Sequence, residues 1–403
     1  MKNKIELLAP AGSLEKLKIA VMYGADAVYI GGKFFSLRAR ANNFSLDDIK
    51  EGVEFAHKYQ SKVYITMNVA ARDEDFSEYD LEKYLKYLES VDVDGIIVSS
   101  MYIASVALSL TPKLEVHMST QASITNSEAI NYLASIGIKR VVLAREVNLD
   151  QIRLLTKKSK VGLEVFIHGG MCASFSGRCM LSNYYVNRDA NRGGCAHSCR
   201  WNYNLYKKSL FKYKKVNKDN YFNIASKDLC AITLIKDLIE AGVESLKIEG
   251  RMKSEYYIAT VVRCYRNLID AIYNGEAIDY NYYLEEIKKA ENRETSTGFL
   301  KGDVTVEEQL YDSNDHPTKE FVGYVLDYEE DKHLAIIEQR NHFKVGDTLE
   351  FFGPNLKNTI YKVSKMRLED GSEVDVAPHP KQIIYLDVNF RVARGDMIRK
   401  KQG

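Results

Sequence analysis

What this 403-residue chain lacks narrows its classes. It has almost no net charge, with 56 Lys and Arg against 55 Asp and Glu for a formal +1, which argues against a strongly basic nucleic-acid clamp. Any polyanion must be held by local patches. It has no apolar run long enough to span a bilayer, and its start, Met1-Lys-Asn-Lys4, lacks the apolar core and cleavage site of a secretory leader. A cytoplasmic protein with no membrane partner is expected. The metalloprotease signature H-E-x-x-H and the nucleophile elbow G-x-S-x-G are both missing, as are internal repeats and low-complexity tracts. Cysteines number only six, and in a reducing compartment disulfides are the weakest account of them.

Four of those six fall within residues 172–199, as Cys172, Cys179, Cys195 and Cys199, spaced C-x6-C-x15-C-x3-C. The residues between them are rich in Gly, Asn, Arg and Ser, so this is ligand spacing rather than core spacing. It lacks the C-x2-C knuckle of a zinc ribbon and the tight run of a bacterial ferredoxin. Four thiolates without a knuckle suit an iron–sulfur cluster held between loops, with structural zinc second and unrelated thiols third. Cys264 lies beside apolar neighbours in a helical stretch and reads as core, and Cys230 is ambiguous. A Cys–His dyad of His168 and Cys172 would leave three cysteines as spectators, so a thiol protease is the poorer reading.

Length calls for two domains, or a large barrel with an appendage. Eight short β-branched runs appear at residues 5–9, 27–31, 62–68, 95–99, 114–119, 139–145, 161–168 and 245–250. Amphipathic helix-length segments separate the first seven, such as 45–60, where Ser45 is placed to cap and Asp47 and Asp48 suit the helix dipole. The alternation predicts an α/β fold, a TIM-like (β/α)8 barrel over residues 1–275. A doubly wound open sheet is the alternative, but its G-x-G-x-x-G fingerprint is missing. Residues 169–244 replace one short loop between strands seven and eight and carry the cysteines, so a Cys-rich insertion at the catalytic end is expected. A long helix capped by Ser254 stops near Gly275, residues 276–317 form a helical linker, and residues 318–403 read as a small C-terminal β-barrel domain with 14 positive against 14 negative charges.

In a parallel barrel the active site lies where strands end. The polar residues expected there are Arg38 and Arg40 after strand two, Asn68 after strand three, His117 on strand five, Arg145 after strand six, His168 on strand seven, and Glu249 and Arg251 after strand eight. Arginine forks bind carboxylates bidentately, while His and Glu move protons. Downstream of the cysteines, residues 200–220 carry seven positive charges and one negative, interleaved with Trp201, Tyr203, Tyr206, Phe211 and Tyr213. Lysines on a phosphate backbone with aromatics stacked on bases is one reading, a hairpin with a solvated face the other.

Several motifs together resemble the collagenase-like U32 peptidase family: Glu6-Leu-Leu-Ala-Pro-Ala-Gly12, Gly24-Ala-Asp-Ala-Val-Tyr-Ile-Gly31, His168-Gly-Gly-Met-Cys172, Ser176-Gly-Arg-Cys179, Asn191-Arg-Gly-Gly-Cys195, Cys199-Arg-Trp201, Ser226-Lys-Asp-Leu229 and Lys247-Ile-Glu-Gly-Arg251. The family name records a proteolytic assignment. The resemblance also implies oxygen-independent hydroxylation that uses prephenate and a four-cysteine iron–sulfur cluster, acting on tRNA wobble uridine, ribosomal RNA or a quinone precursor. On that basis Cys172, Cys179, Cys195 and Cys199 ligate a 4Fe-4S cluster. Arg38, Arg40, Arg145, Arg251 and Asn68 bind substrate, with His117, His168 and Glu249 as proton carriers. Length and the single C-terminal domain favour the tRNA branch and 5-hydroxyuridine. Peptide cleavage, and a role as partner to a second family subunit, are the other expectations.

Overall fold

The computed structural model describes residues 4–37, 43–209, 212–216, 223–290, 293–310 and 318–401. It divides into two compact units, one of residues 1–21, 25–253 and 293–314, the other of 22–24, 254–292 and 315–403.

The first unit is built on strands β1 (Glu6–Pro10), β2 (Ala27–Ile30), β3 (Lys62–Met67), β4 (Gly95–Val98), β5 (Glu115–Met118), β6 (Arg140–Val142) and β7 (Gly162–Gly169). After β7 come an isolated hairpin of β8 (Tyr206–Ser209) and β9 (Lys212–Lys215), then β10 (Asp228–Cys230) and β11 (Ser245–Ile248), with β12 (Thr295–Ser296) last. Seven strands run parallel in chain order, and β11 pairs in parallel with both β1 and β7, so eight strands close into a barrel. The short strand β10 lies antiparallel to β7, outside that closure, and β12 runs beside β10. All eight apolar runs read from the sequence are the eight barrel strands, because each is buried on both faces and so carries a continuous apolar run rather than an alternating one.

Between the strands lie helices α1 (Leu14–Met22), α2 (Leu46–Lys58), α3 (Asp73–Glu78), α4 (Leu81–Ser90), α5 (Met101–Leu110), α6 (Ser127–Ser135), α7 (Leu149–Lys158), α8 (Leu181–Val186) and α9 (Ile235–Ala241). Short polar side chains start most of them. Ser45 and Asp48 form a reciprocal capping box on α2, Asn148 and Gln151 do the same on α7, and Asp80, Ser100 and Asn126 cap α4, α5 and α6.

The barrel interior is not wholly apolar. Lys247 Nζ lies 2.6 Å from Glu164, and Arg140 reaches Glu6 at 2.5 Å, Glu244 at 2.7 Å and Glu164 at 3.4 Å. Tyr64 and Ser245 donate their hydroxyl hydrogens to Glu6. Burial pushes Glu164 up, but Lys247 and Arg140 outweigh it and hold its carboxyl below the usual range. A buried charge is tolerated only with such partners.

In the second unit, α10 (Glu255–Tyr273) is capped by Ser254, whose hydroxyl accepts from Tyr257 N, and is followed by α11 (Tyr280–Lys288); α12 (Val306–Gln309) belongs to the first unit. Strands β13 (Lys319–Glu329), β14 (Leu334–Gln339), β15 (Phe343–Lys344), β16 (Thr348–Phe352), β17 (Thr359–Lys362), β18 (Val376–Ala377), β19 (Ile383–Asp387) and β20 (Met397–Lys401) complete it. Six of these form an antiparallel sheet ordered β17-β16-β20-β13-β14-β19, and β15 pairs with β18. Where the sequence leads one to expect a barrel, the described residues show no pairing between the edges β17 and β19. Val322, Val325, Ile337, Phe351, Ile384 and Ile398 fill its core. No helix among the described residues is long and apolar enough to cross a membrane.

Candidate functional site

The C-terminal ends of the barrel strands gather Arg145, His168, Glu249 and Arg251. Arg251 is buried, and its fork donates to Thr66 Oγ1 at 2.8 Å and to Ser36 Oγ at 3.2 and 3.3 Å. Room for it is made by glycine: a Cβ on Gly31 would stand 2.1 Å from Arg251 Nη1, and one on Gly12 would stand 2.1 Å from its carbonyl oxygen. Arg145 donates to Gly170 O at 2.6 Å, lies 3.4 Å from Glu249 and stacks its guanidinium 3.8 Å above the Phe166 ring. His168 is fully buried on β7, whose register with β11 shifts between Lys247 and Ile248. Bulges of this kind occur beside active sites, where they re-aim side chains.

Other residues expected at the rim take different places. His117 is the third residue of β5 and points into the ionic layer, with Nε2 3.0 Å from Glu115 and its ring 4.8 Å from that of Tyr64. Its hydrogen bond holds Glu115 down at about 2. The reason is pleat: residues i and i+2 share a face, so His117 follows Glu115 inward below the strand end. Asn68 accepts from Leu37 N at 3.3 Å, holding the loop after β2. Arg38 and Arg40 lie outside the described residues.

The cysteines lie in chain order between β7 and β11, and all are free thiols. Three short turns present them. Ser176 has left-handed φ of 49° and is fixed by Glu146, whose carboxylate accepts from Ser176 N at 2.7 Å and Oγ at 3.2 Å. Asn191 spans Cys179, accepting from its N at 3.3 Å and donating to its O at 3.0 Å. Arg192 grips Asp75 at 2.6 and 2.8 Å, anchoring the next turn on α3. Amide N–H groups of Ser174 and Leu181 donate to the sulfurs of Cys172 and Cys179, each at 3.4 Å, the type of contact that tunes sulfur ligands.

Electrostatics ties the thiols to one another and to the barrel mouth. Burial pushes the Cys172 thiol up; Cys179 and Cys195 push the same way, while Arg145 opposes them. Cys199 is likewise raised by burial, and by Cys172, Cys195 and Cys179, against Arg200. Arg200 and Arg293 both face Asp228, at 4.0 and 3.2 Å, and a Cβ on Gly170 would stand 3.6 Å from Arg200 and 3.8 Å from Asp228. The sequence-expected site omits Asn191, Glu146, Arg200, Asp228 and Arg293, although Glu146 follows Arg145 at the end of strand six and Asn191, Arg200 and Asp228 stand inside the motifs quoted above. Among the described residues, no three His, Cys, Asp or Glu side chains stand close enough to grip a single metal ion.

A family model described as peptidase family U32 matches residues 12–310, and one for the U32 C-terminal domain matches residues 317–399. The chain belongs to the U32 peptidase family. Among its U32 relatives is tRNA hydroxylation protein P1 of Bacillus subtilis, 46% identical over 99% of this chain and 95% of that one. Another is tRNA hydroxylation protein P of Escherichia coli, 30% identical over 96% and 94%. A third is named collagenase, from Porphyromonas gingivalis, 33% identical over 91% of each chain. Relatives covered over more than nine tenths of their length thus carry names of two kinds, tRNA hydroxylation protein and collagenase.

Losing the Asn191 amide should loosen the Cys179 turn without unfolding the barrel. Two hydrogen bonds of about 1 kcal/mol each correspond to an about tenfold or greater rise in local opening. In the purified protein, Asn191→Ala should therefore raise the rate of Cys179 alkylation by about that factor, read by peptide mass spectrometry; an unchanged rate would remove Asn191 as the clamp.

Proposed function

We propose that this chain is an iron–sulfur-dependent, oxygen-independent RNA hydroxylase, forming 5-hydroxyuridine at the tRNA wobble position with prephenate as oxygen donor. The observation that carries the reading is the set of four free cysteines on the turns between β7 and β11, two of their sulfurs receiving backbone N–H bonds, on the chain segment that leaves the strand end where Arg145 meets Glu249. The relatives named as tRNA hydroxylation proteins support the RNA acceptor.

Cys172, Cys179, Cys195 and Cys199 would hold a 4Fe-4S cluster. The donor set fits by its chemistry: four free thiols, two already receiving amide N–H bonds. Tetrahedral zinc would draw its four sulfurs to about 3.8 Å from one another around bonds of about 2.3 Å, and is the less favoured occupant. When bound, such a cluster, with all four irons held by cysteine, would supply one-electron chemistry. Arg145 and Arg251 would take the two carboxylates of prephenate, and the hydrogen bonds that fix the Arg251 fork on Ser36 and Thr66 support that role. Glu249, released from Arg145 as a carboxylate takes its place, accepts a proton, and His168 carries one to or from the donor oxygen.

The test uses anaerobically reconstituted protein, tRNA and prephenate, with digested nucleosides read by mass spectrometry. Wild type should form 5-hydroxyuridine only with the donor. Arg251→Lys, which replaces a planar fork by a point charge, and Gly31→Ala, which drives a methyl group into that fork, should each lower kcat/KM for prephenate about 10- to 100-fold. Unchanged donor dependence in both would take Arg251 out of the site.

The relative named collagenase favours a second reading, cleavage of peptides at the same mouth. It predicts proteolysis of denatured collagen by purified protein that persists after the cluster is stripped.

A further inference from the structure

We propose that the β8–β9 ribbon is a docking platform for unpaired RNA, its tyrosines stacking on bases and the lysines around them holding phosphates; this rests on the reading of RNA as the acceptor. The ribbon is a sheet of two strands with no third partner among the described residues. Its register pairs Tyr206 with Lys215, Lys207 with Lys214 and Lys208 with Tyr213. Since side chains alternate along a strand and cross-strand partners share a face, Tyr206, Lys208, Tyr213 and Lys215 lie on one face and Lys207, Lys212 and Lys214 on the other.

Tyr206 is 55% exposed and Tyr213 70%, so neither ring fills a core. Lys207 stands directly opposite Lys214, a like-charge pair that destabilises a ladder, in a two-stranded ribbon that is marginal to begin with. Residues 201–216 hold five lysines and no acidic residue. A polyanion relieves that repulsion, and two exposed rings among lysines are the means by which single strands are held, bases on aromatic faces and phosphates on ammonium groups.

The aromatic surface also leads back to the cysteines. Tyr203 donates to Ser198 O at 2.6 Å, and its ring stands 5.8 Å from that of Tyr185, which in turn lies 6.1 Å from Trp201. Ser198 and Arg200 flank Cys199. A strand of RNA seated on the ribbon would thus continue over Tyr203, Tyr185 and Trp201 toward the cysteine turns.

The experiment measures binding of the full chain to a fluorescein-labelled hairpin RNA with an unpaired seven-nucleotide loop and to a fully paired RNA of equal length, by anisotropy over a range of salt. Tyr206→Ala/Tyr213→Ala should weaken loop binding about tenfold or more and leave the duplex nearly unchanged. Lys207→Gln/Lys212→Gln/Lys214→Gln should lower the slope of log affinity against log salt by about 2, three contacts at about 0.7 each. All five positions are solvent-facing in the ribbon, and an unaltered circular dichroism spectrum and melting temperature verify folding. Wild-type loop affinity in the tyrosine variant overturns the platform, as does equal, ribbon-dependent binding to anionic phosphatidylglycerol vesicles. If the variants bind as wild type while wild type still forms 5-hydroxyuridine, the ribbon assignment fails and the hydroxylase stands. If loop binding depends on the ribbon but no 5-hydroxyuridine forms, the platform stands and the hydroxylase fails.

Discussion

Cys179→Ala is expected to leave the reconstituted protein with no stable iron and no hydroxylation, against about four irons per chain in wild type. Each thiolate of a four-cysteine set serves its own iron, so removing one exposes a corner to solvent and to oxidation rather than weakening all four bonds equally. Cys179 is also the most tightly framed of the four, with its amide and carbonyl held by Asn191 and its sulfur receiving Leu181 N–H. The other two cysteines are held elsewhere: Cys230 is buried in β10, and the buried Cys264, in α10, donates to Tyr283 O at 3.4 Å. Cys264→Ala serves as the control and should retain iron and activity. Full iron content with full activity in Cys179→Ala would contradict the ligand assignment outright.

The second large effect lies inside the barrel. Lys247→Met removes the cation 2.6 Å from the fully buried Glu164 and should cost about 3–5 kcal/mol of barrel stability, since the penalty is that of a buried charge stripped of its nearer partner. Arg140, at 3.4 Å and shared with Glu6 and Glu244, offsets only part of it. The pH dependence has a definite sign. In wild type the Glu164 carboxyl is held low, so the stability it contributes is lost as pH falls. Without Lys247 burial raises it above its unfolded value, so the variant's deficit is largest at high pH and shrinks as pH falls and Glu164 takes up a proton. Lys247→Met/Glu164→Leu should recover most of the loss. Chemical unfolding followed by tryptophan fluorescence and circular dichroism over pH 4–8 on the log scale is the measurement, and additive losses in the double variant would deny the pairing.

Those two sites also show what could and could not be read from the sequence. The eight barrel strands were readable because each is a short apolar run buried on both faces, and the helix starts because Ser45 and Ser254 are caps whose chemistry is local. The ionic layer was not. Glu164, Lys247 and Arg140 look like surface charges in an otherwise apolar run, and only closure of the barrel brings strands six, seven and eight together around them. His117 was misplaced for the same reason, since its depth is set by the pleat and by partners on other strands. Strand β20 was hidden by Arg399, a fully buried charge that pairs with Glu286 at 2.9 Å and Glu350 at 3.0 Å. At the candidate site the cysteines announced themselves by spacing. Asn191, Glu146 and Asp228 did not, because their work is to hold backbone and arginines in place, and polar residues in loops carry no sign of which partner they will meet.

The most direct test of the central claim is the tRNA nucleoside profile of cells in which the gene is deleted and then restored. The hydroxylase reading predicts that 5-hydroxyuridine and its derivatives disappear on deletion, return with the wild-type gene and do not return with Cys179→Ala. An unchanged profile in the deletion strain, with any paralogue also deleted, would contradict it.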